Sequence, residues 1–181
     1  MKRIRLRHKR YWWLANQINQ QLMIRGAEIG CARGMTTWRL LHFCPRLRRL
    51  YAVDLWAPVP DEVGGGTRYK DWDFTSIKKQ FDSLTRNYFR RLTILQDVSW
   101  MAASKVKNGR LDFVFIDADH EYESVKKDIQ AWTPKLKAGG MMSGHDCEFP
   151  GVAQALSELI PNWKKAGVDH VWYAKKEDVK L

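Results

Sequence analysis

Long apolar runs are missing from this 181-residue chain. The longest candidates, such as the stretch Leu111–Ile116, have the length of a strand, whereas a bilayer-spanning helix needs about 18 or more apolar residues. No membrane span is therefore expected. The basic start is followed by Tyr11-Trp12-Trp13 and then by the polar run from Asn16 to Gln21, which does not read as a secretory leader. Cysteine is scarce. Cys31, Cys44 and Cys147 form no C-x-x-C pair and no even set, which argues against a zinc ribbon or a disulfide scaffold and for a reducing, cytoplasmic setting. Acid is nearly absent from the first 50 residues, which hold 12 Lys/Arg and only Glu28. That segment carries the whole net charge of +11, because residues 51–181 balance 19 basic against 19 acidic side chains. Such asymmetry suits an anionic partner, a nucleic acid or an acidic small molecule, and equally suits a solvated arm.

What is present reads as one domain. Residues 1–10 form a basic arm and residues 11–181 a single unit, within which 57–72 is an irregular stretch rich in Pro and Gly. A loop of that length is usually functional, and Trp56, Arg68, Tyr69 and Trp72 make it a candidate lid. Helical patterning is expected over 11–23, with Trp12, Trp13, Ile18 and Leu22 inward, and over 36–43, 74–90, 99–106, 121–136 and 151–159. Gly139-Gly140 reads as the stop of the fifth of these. Strands are expected at 27–29, 50–53, 92–95, 111–116 and 141–143, and a closing antiparallel pair at 163–166 and 171–174. Strands that alternate with helices imply a mostly parallel sheet covered on both faces, with ligands outside the carboxyl ends of the strands. Glu28, Asp54, Asp97, Asp117 and Asp146 fall at those ends.

Three groups carry chemistry. Glu28-Ile29-Gly30-Cys31-Ala32-Arg33-Gly34 is an E-x-G-x-x-x-G turn between a strand and a helix, where glycine permits a sharp bend and close approach of a ligand. It is not the dinucleotide fingerprint, because Ala32 stands where that pattern has its second glycine. Asp54 ends the next strand, in position for ribose hydroxyls or as a cap. Asp97 could accept from an exocyclic amine or cap the helix starting near Ser99. Asp117-Ala118-Asp119-His120 and Ser143-Gly144-His145-Asp146 end neighbouring strands, so Asp117, Asp146 and His145 could share a divalent cation. Oxygen ligands suit Mg²⁺, and an imidazole tilts the preference toward Mn²⁺ or Fe²⁺.

Together, Glu28–Gly34, Asp54, Asp97 and the run Asp112–Asp146 resemble the class I S-adenosylmethionine-dependent methyltransferases. The stretch LDFVFIDADHEYESVKKDIQAWTPKLKAGGMMSGHDC is most similar to the small-molecule O-methyltransferase branch that includes macrocin-type sugar enzymes and the cephalosporin-hydroxylase-like group. The resemblance implies a Rossmann-like fold with a seven-stranded sheet and S-adenosylmethionine as cofactor. It places Glu28, Gly30 and Gly34 at the methionine and ribose side of the cofactor pocket, with Cys31 and Asp117 also at the cofactor. Asp54 and Leu55 fall at the ribose, and Asp97, Val98 and Ser99 at the adenine. It implies Mg²⁺ or Mn²⁺ on Asp117, His145 and Asp146, with His145 departing from the acidic pair of that branch. Asp119 is then the general base, with His120 its rival on intrinsic pKa. The implied reaction is O-methylation of a sugar or another small hydroxyl acceptor. Alternatives are a nucleic-acid methyltransferase docking through residues 1–50 and a non-catalytic cofactor-binding protein. The sequence does not give the oligomeric state.

Overall fold

A computed structural model describes residues 9–59 and 71–181. The tip of the basic arm, and Arg68 and Tyr69 of the candidate lid, lie outside the described residues. The element order is α1 (Arg10–Gln20), β1 (Arg25–Ile29), α2 (Met35–Phe43), β2 (Arg49–Asp54), α3 (Phe74–Thr85), β3 (Leu92–Gln96), α4 (Ser99–Ala102), β4 (Leu111–Ile116), α5 (Tyr122–Trp132), β5 (Leu136–Gly144), α6 (Pro150–Leu159), β6 (Lys164–Lys165) and β7 (Trp172–Lys175). The strands form one sheet in the order β3-β2-β1-β4-β5-β7-β6. The first five run parallel, and β7 pairs antiparallel with both β5 and β6.

β4 is central because all six of its residues are buried. Its alternation divides the core in two. Phe113 and Phe115 face the layer of α1, α2 and α3, where Leu14, Ile18, Leu40, Leu41 and Phe81 pack. Val114 and Ile116 face the other layer, with Val125, Ile129 and Trp132 of α5 and Val152 and Leu156 of α6. Both faces of a parallel sheet must be covered in this way. α3 starts where Asp73 accepts a hydrogen bond from the Ser76 N–H at 2.9 Å, an N-cap that satisfies one free donor of the first turn.

Two expectations are corrected. In α1 the inward stripe is Leu14, Ala15 and Ile18, whereas Trp12 and Trp13 are only half-buried and Leu22 is exposed beyond the helix end. The two indoles lie beside that stripe, Trp12 against Phe43 of α2 and Trp13 against Tyr173. Gly139-Gly140 does not stop a helix. α5 ends at Trp132, Pro134 sits in a 3₁₀ turn, and the glycines lie inside β5 where its register against β4 shifts. A strand irregularity needs glycine as readily as a helix end does.

The registers place the site. Ile29 is level with Val53 and with Ile116, and Ile116 is level with Gly144. The carboxyl ends of β1, β2, β4 and β5 therefore open on one rim. The chain order reverses between β1 and β4, which creates the crevice where open α/β sheets bind ligands. No helix among the described residues is long and apolar enough to cross a membrane. All three cysteines are free and buried.

Candidate active site

The turn after β1 is held by backbone bonds from both neighbours. The Gly30 N–H donates to Val53 O at 2.8 Å, and the Asp117 N–H donates to Ile29 O at 2.7 Å. Asp54 staples the turn further. Its Oδ2 accepts from the N–H groups of Cys31 and Ala32 at 2.9 and 2.8 Å, and its Oδ1 accepts from the Trp56 N–H at 2.9 Å. The Trp56 indole N–H donates to Ala32 O, so this tryptophan is a buried strut of the turn and not part of a lid.

Beside the turn lies a cavity of about 160 Å³. Of the residues expected at a cofactor, Gly30, Asp54, Leu55, Val98, Ser99 and Asp117 line it, as does Asp119. Trp72, Phe74, Trp100 and Ser124 line it as well. Phe74, Trp100 and Ser124 were not singled out from sequence, since each reads there only as an ordinary helix residue. Four expected residues stand back from its walls. Glu28 is buried behind the turn, where it accepts from the Thr37 hydroxyl at 2.6 Å. Cys31 is buried with its thiol toward Glu28 O and Val53 O. Gly34 starts α2 in the left-handed region. Asp97 pairs with Lys105 at 2.7 Å, and that hydrogen bond holds its carboxyl below the usual range.

The second group meets at the ends of β4 and β5. Ligand atoms of Asp117, His120 and Asp146 lie within 4.8 Å of one another. His120 Nε2 is 2.6 Å from Asp146 Oδ2. His145 sits alongside, with Nδ1 3.0 Å from Asp146 Oδ2 and 3.5 Å from Asp117 Oδ1, and Nε2 3.7 Å from Asp169 Oδ2. Burial alone would lower the His145 pKa, but the neighbouring carboxylates of Asp117 and Asp146 outweigh it and raise it to about 9. For Asp146, burial works upward and is overcome by the hydrogen bonds from both imidazoles, which hold the carboxyl well below its ordinary value.

Two members of this group were not recognised from sequence. Arg10, read as part of the arm, places Nε 3.0 Å from Asp117 Oδ2, and its backbone N–H donates to Asp169 Oδ2 at 3.0 Å. Asp169 reads in sequence only as a turn residue between the closing strands. Asp146, Asp169 and His170 all have positive φ (56°, 46° and 54°), uncommon for non-glycine residues and concentrated around this cluster.

A family model described as "Methyltransferase domain" matches residues 27–147. The chain belongs to the methyltransferase domain family. It is a class I S-adenosylmethionine-dependent methyltransferase. Its fold is shared with the O-methyltransferase from Bacillus cereus in complex with SAH (15% identity, TM-score 0.62, 96% of this chain and 83% of that one). It is shared with NovP, an O-methyltransferase (16%, 0.65, 89% and 75%). CalS11, a TDP-rhamnose 3'-O-methyltransferase of calicheamicin biosynthesis, is similar too (14%, 0.61, 96% and 83%). No curated protein matches the sequence.

In this methyltransferase the buried Glu28 makes stability depend on pH. Burial raises its pKa to about 8, despite the Thr37 hydrogen bond, whereas in an unfolded chain a glutamate titrates near 4.3. Between those values the unfolded state ionises while the folded state keeps the proton. This contribution is greatest below pH ~4 and falls by about 1.4 kcal/mol per unit as pH rises toward ~8. Glu28→Gln should remove the slope. Urea midpoints at pH 5 and 8.5 should separate more for the wild type than for the variant, and equal separations would contradict the burial argument.

Proposed function

We propose that this methyltransferase moves the methyl group of S-adenosylmethionine onto a hydroxyl of a small, hydroxyl-bearing acceptor such as a sugar. The observation that carries the reading is the double position of Asp117. It lines the cavity and also belongs to the carboxylate–imidazole cluster, so methyl donor and proton acceptor would adjoin. In this reading the cofactor's methionine end lies at Gly30 and Asp117, with Glu28, Cys31 and Gly34 shaping the turn behind it. Its ribose lies at Asp54 and Leu55, and its adenine at Val98 and Ser99, with Asp97 behind.

Methyl transfer from a sulfonium is an in-line displacement, so the site must align acceptor oxygen, methyl and sulfur. The acceptor proton passes to His120 or to Asp119. Asp146 holds His120 through Nε2, and a carboxylate-bound imidazole is held in one orientation. Asp119 lies on the cavity wall and also accepts the His120 N–H at 2.8 Å, which fixes both candidates relative to the cavity. Two carboxylates and an imidazole fit a divalent cation that tolerates nitrogen, Mn²⁺ or less well Mg²⁺, with Asp117, His120 and Asp146 as ligands and His145 beside them. Such an ion, when bound, would lower the pKa of the acceptor hydroxyl. The basic character near the mouth, with Arg33 over the Trp72 ring and Arg10 in the cluster, suits an acceptor that carries negative charge. The free cysteines fit a cytoplasmic setting.

The test is calorimetric titration with S-adenosylhomocysteine after chelator treatment, then with Mn²⁺ or Mg²⁺. Saturable nucleoside binding, and a separate metal heat lost in Asp117→Ala, are expected. Absence of nucleoside binding would sink the assignment of the cavity. Arg10 gives a further expectation. Its guanidinium holds the carboxylate that the cation would use, so Arg10→Ala should tighten Mn²⁺ binding by about tenfold, the equivalent of one lost ion-pair competition of about 1.4 kcal/mol. Unchanged or weaker binding would remove Arg10 from that competition.

A further inference from the structure

Asp128 is a buried carboxyl whose one interacting hydroxyl is that of Ser99. It lies in α5, its relative exposure is 0%, and neither carboxylate oxygen has a partner in hydrogen-bonding geometry. A carboxyl this buried is costly, and such groups call for a functional explanation. Its surroundings supply one. Ser124, one helical turn earlier, lines the cofactor cavity. Ser99 and Asp119, the side chains that act on Asp128 most strongly, line it too. The Trp132 indole N–H donates to Ser99 O at 3.0 Å, which fastens the Ser99 backbone to α5. Ser99 thus belongs to the cavity wall and is also the hydroxyl that acts on the Asp128 carboxyl.

We propose that Asp128 accepts a hydrogen bond from the Ser99 hydroxyl, so that Ser99 faces the cavity only as an acceptor and selects a 6-amino purine over a 6-oxo purine. A serine hydroxyl has one proton and two lone pairs. With its O–H donated to Asp128 in a hydrogen bond, a lone pair remains for an incoming N–H. The exocyclic amine of adenine supplies one, and a 6-oxo group meets it lone pair to lone pair. Burial raises the Asp128 pKa to about 7, opposed by Ser99. At pH 8 the carboxyl is therefore mostly ionised and can only accept. Asp128 is a positioning residue, since it acts through Ser99. The inference rests on the reading of the cavity as the cofactor site.

The experiment compares binding of S-adenosylhomocysteine and of its 6-oxo analogue, S-inosylhomocysteine, to the full chain at pH 8. The wild type should prefer the amine by about tenfold or more. In Asp128→Asn the amide can donate to Ser99 Oγ and free its proton, so the preference should collapse toward unity or invert. Ser99→Ala should also lose the preference, and adding Asp128→Asn to it should change nothing further. Removal of a buried charge that has no cation beside it should leave the melting temperature of Asp128→Asn equal or higher, which separates lost recognition from lost folding. A wild type that binds both nucleosides equally, or an Asp128→Asn or Ser99→Ala protein with the wild-type preference, overturns the proposal and leaves the cavity assignment intact. A wild type that binds neither nucleoside overturns both.

Discussion

Asp146→Ala should lower kcat by about 10²–10⁴-fold, the range general acid–base catalysis supplies, and should leave S-adenosylhomocysteine affinity within about threefold, the pattern of a group that acts only in the transition state. Asp146 does not line the cavity proposed for the nucleoside, so nothing on that side is lost. Its carboxylate is instead the hub of the cluster, 2.6 Å from His120 Nε2 and 3.0 Å from His145 Nδ1. If His120 takes the acceptor proton, the alanine leaves the ring without its orienting partner. If a divalent cation assists, the alanine removes a ligand. The two cases separate when Mn²⁺ is raised. A weakened metal site recovers part of its turnover at high metal, and an unoriented base does not. Asp146→Asn keeps an oxygen at the same place and should retain more turnover than the alanine in either case. A kcat for Asp146→Ala within a few-fold of the wild type would move the chemistry away from this cluster.

Much of the fold was legible because β4 and its neighbours are written in local patterns. The run Leu111–Ile116 can only be a buried strand, and the acids that end β2 and β4 mark the rim of the sheet whatever the tertiary detail. The double glycine at 139–140 misled because glycine serves helix ends and strand irregularities alike. Pro134 had already closed α5 in a short turn, and the chain needed glycine for the irregular start of β5. The site was legible where one strand end supplies it, as with Asp117-Ala118-Asp119-His120, and hidden where distant segments converge. Arg10 reaches Asp117 across more than half the chain, and Asp169 enters through the loop before β7. Nothing local distinguishes either from a surface charge. The ordering of the two imidazoles was equally hidden, because His120 and His145 meet at Asp146 only where the ends of β4 and β5 converge. Asp128 follows Lys126 and Lys127 in an amphipathic helix and reads as part of its solvated face; only the packing of α5 under α4 buries it.

Gly30→Ala should be the most damaging single-methyl change, destabilising the fold by about 3–5 kcal/mol from combined backbone strain and overpacking. Gly30 has φ +87°, and a Cβ placed there would lie 2.1 Å from Asp117 O, 2.5 Å from Asp117 C and 2.6 Å from Ala118 Cα. All three are backbone atoms, so no side chain can swing aside. To make room, the ends of β1 and β4 must part, against the Asp117 N–H bond to Ile29 O and the Gly30 N–H bond to Val53 O. In a chain of this size that cost corresponds to a melting temperature about 10 °C lower. Gly109→Ala is the control. Gly109 also has positive φ, +67°, but nothing lies within 4 Å of its Cβ position, so it carries the backbone strain alone. Its melting temperature should fall by only a few degrees, on the order of 1–2 kcal/mol. The difference between the two variants measures the steric part. Function should suffer beyond stability, because the clash displaces Asp117, which among the described residues is shared by cavity and cluster. A shift of about 1 Å at a reacting centre can cost on the order of 10²-fold in rate. At a temperature where Gly30→Ala remains folded, turnover and nucleoside affinity should therefore both fall, whereas Gly109→Ala should keep both. Equal behaviour of the two variants would mean that the close approach of β1 to the Asp117 carbonyl is not what defines the site.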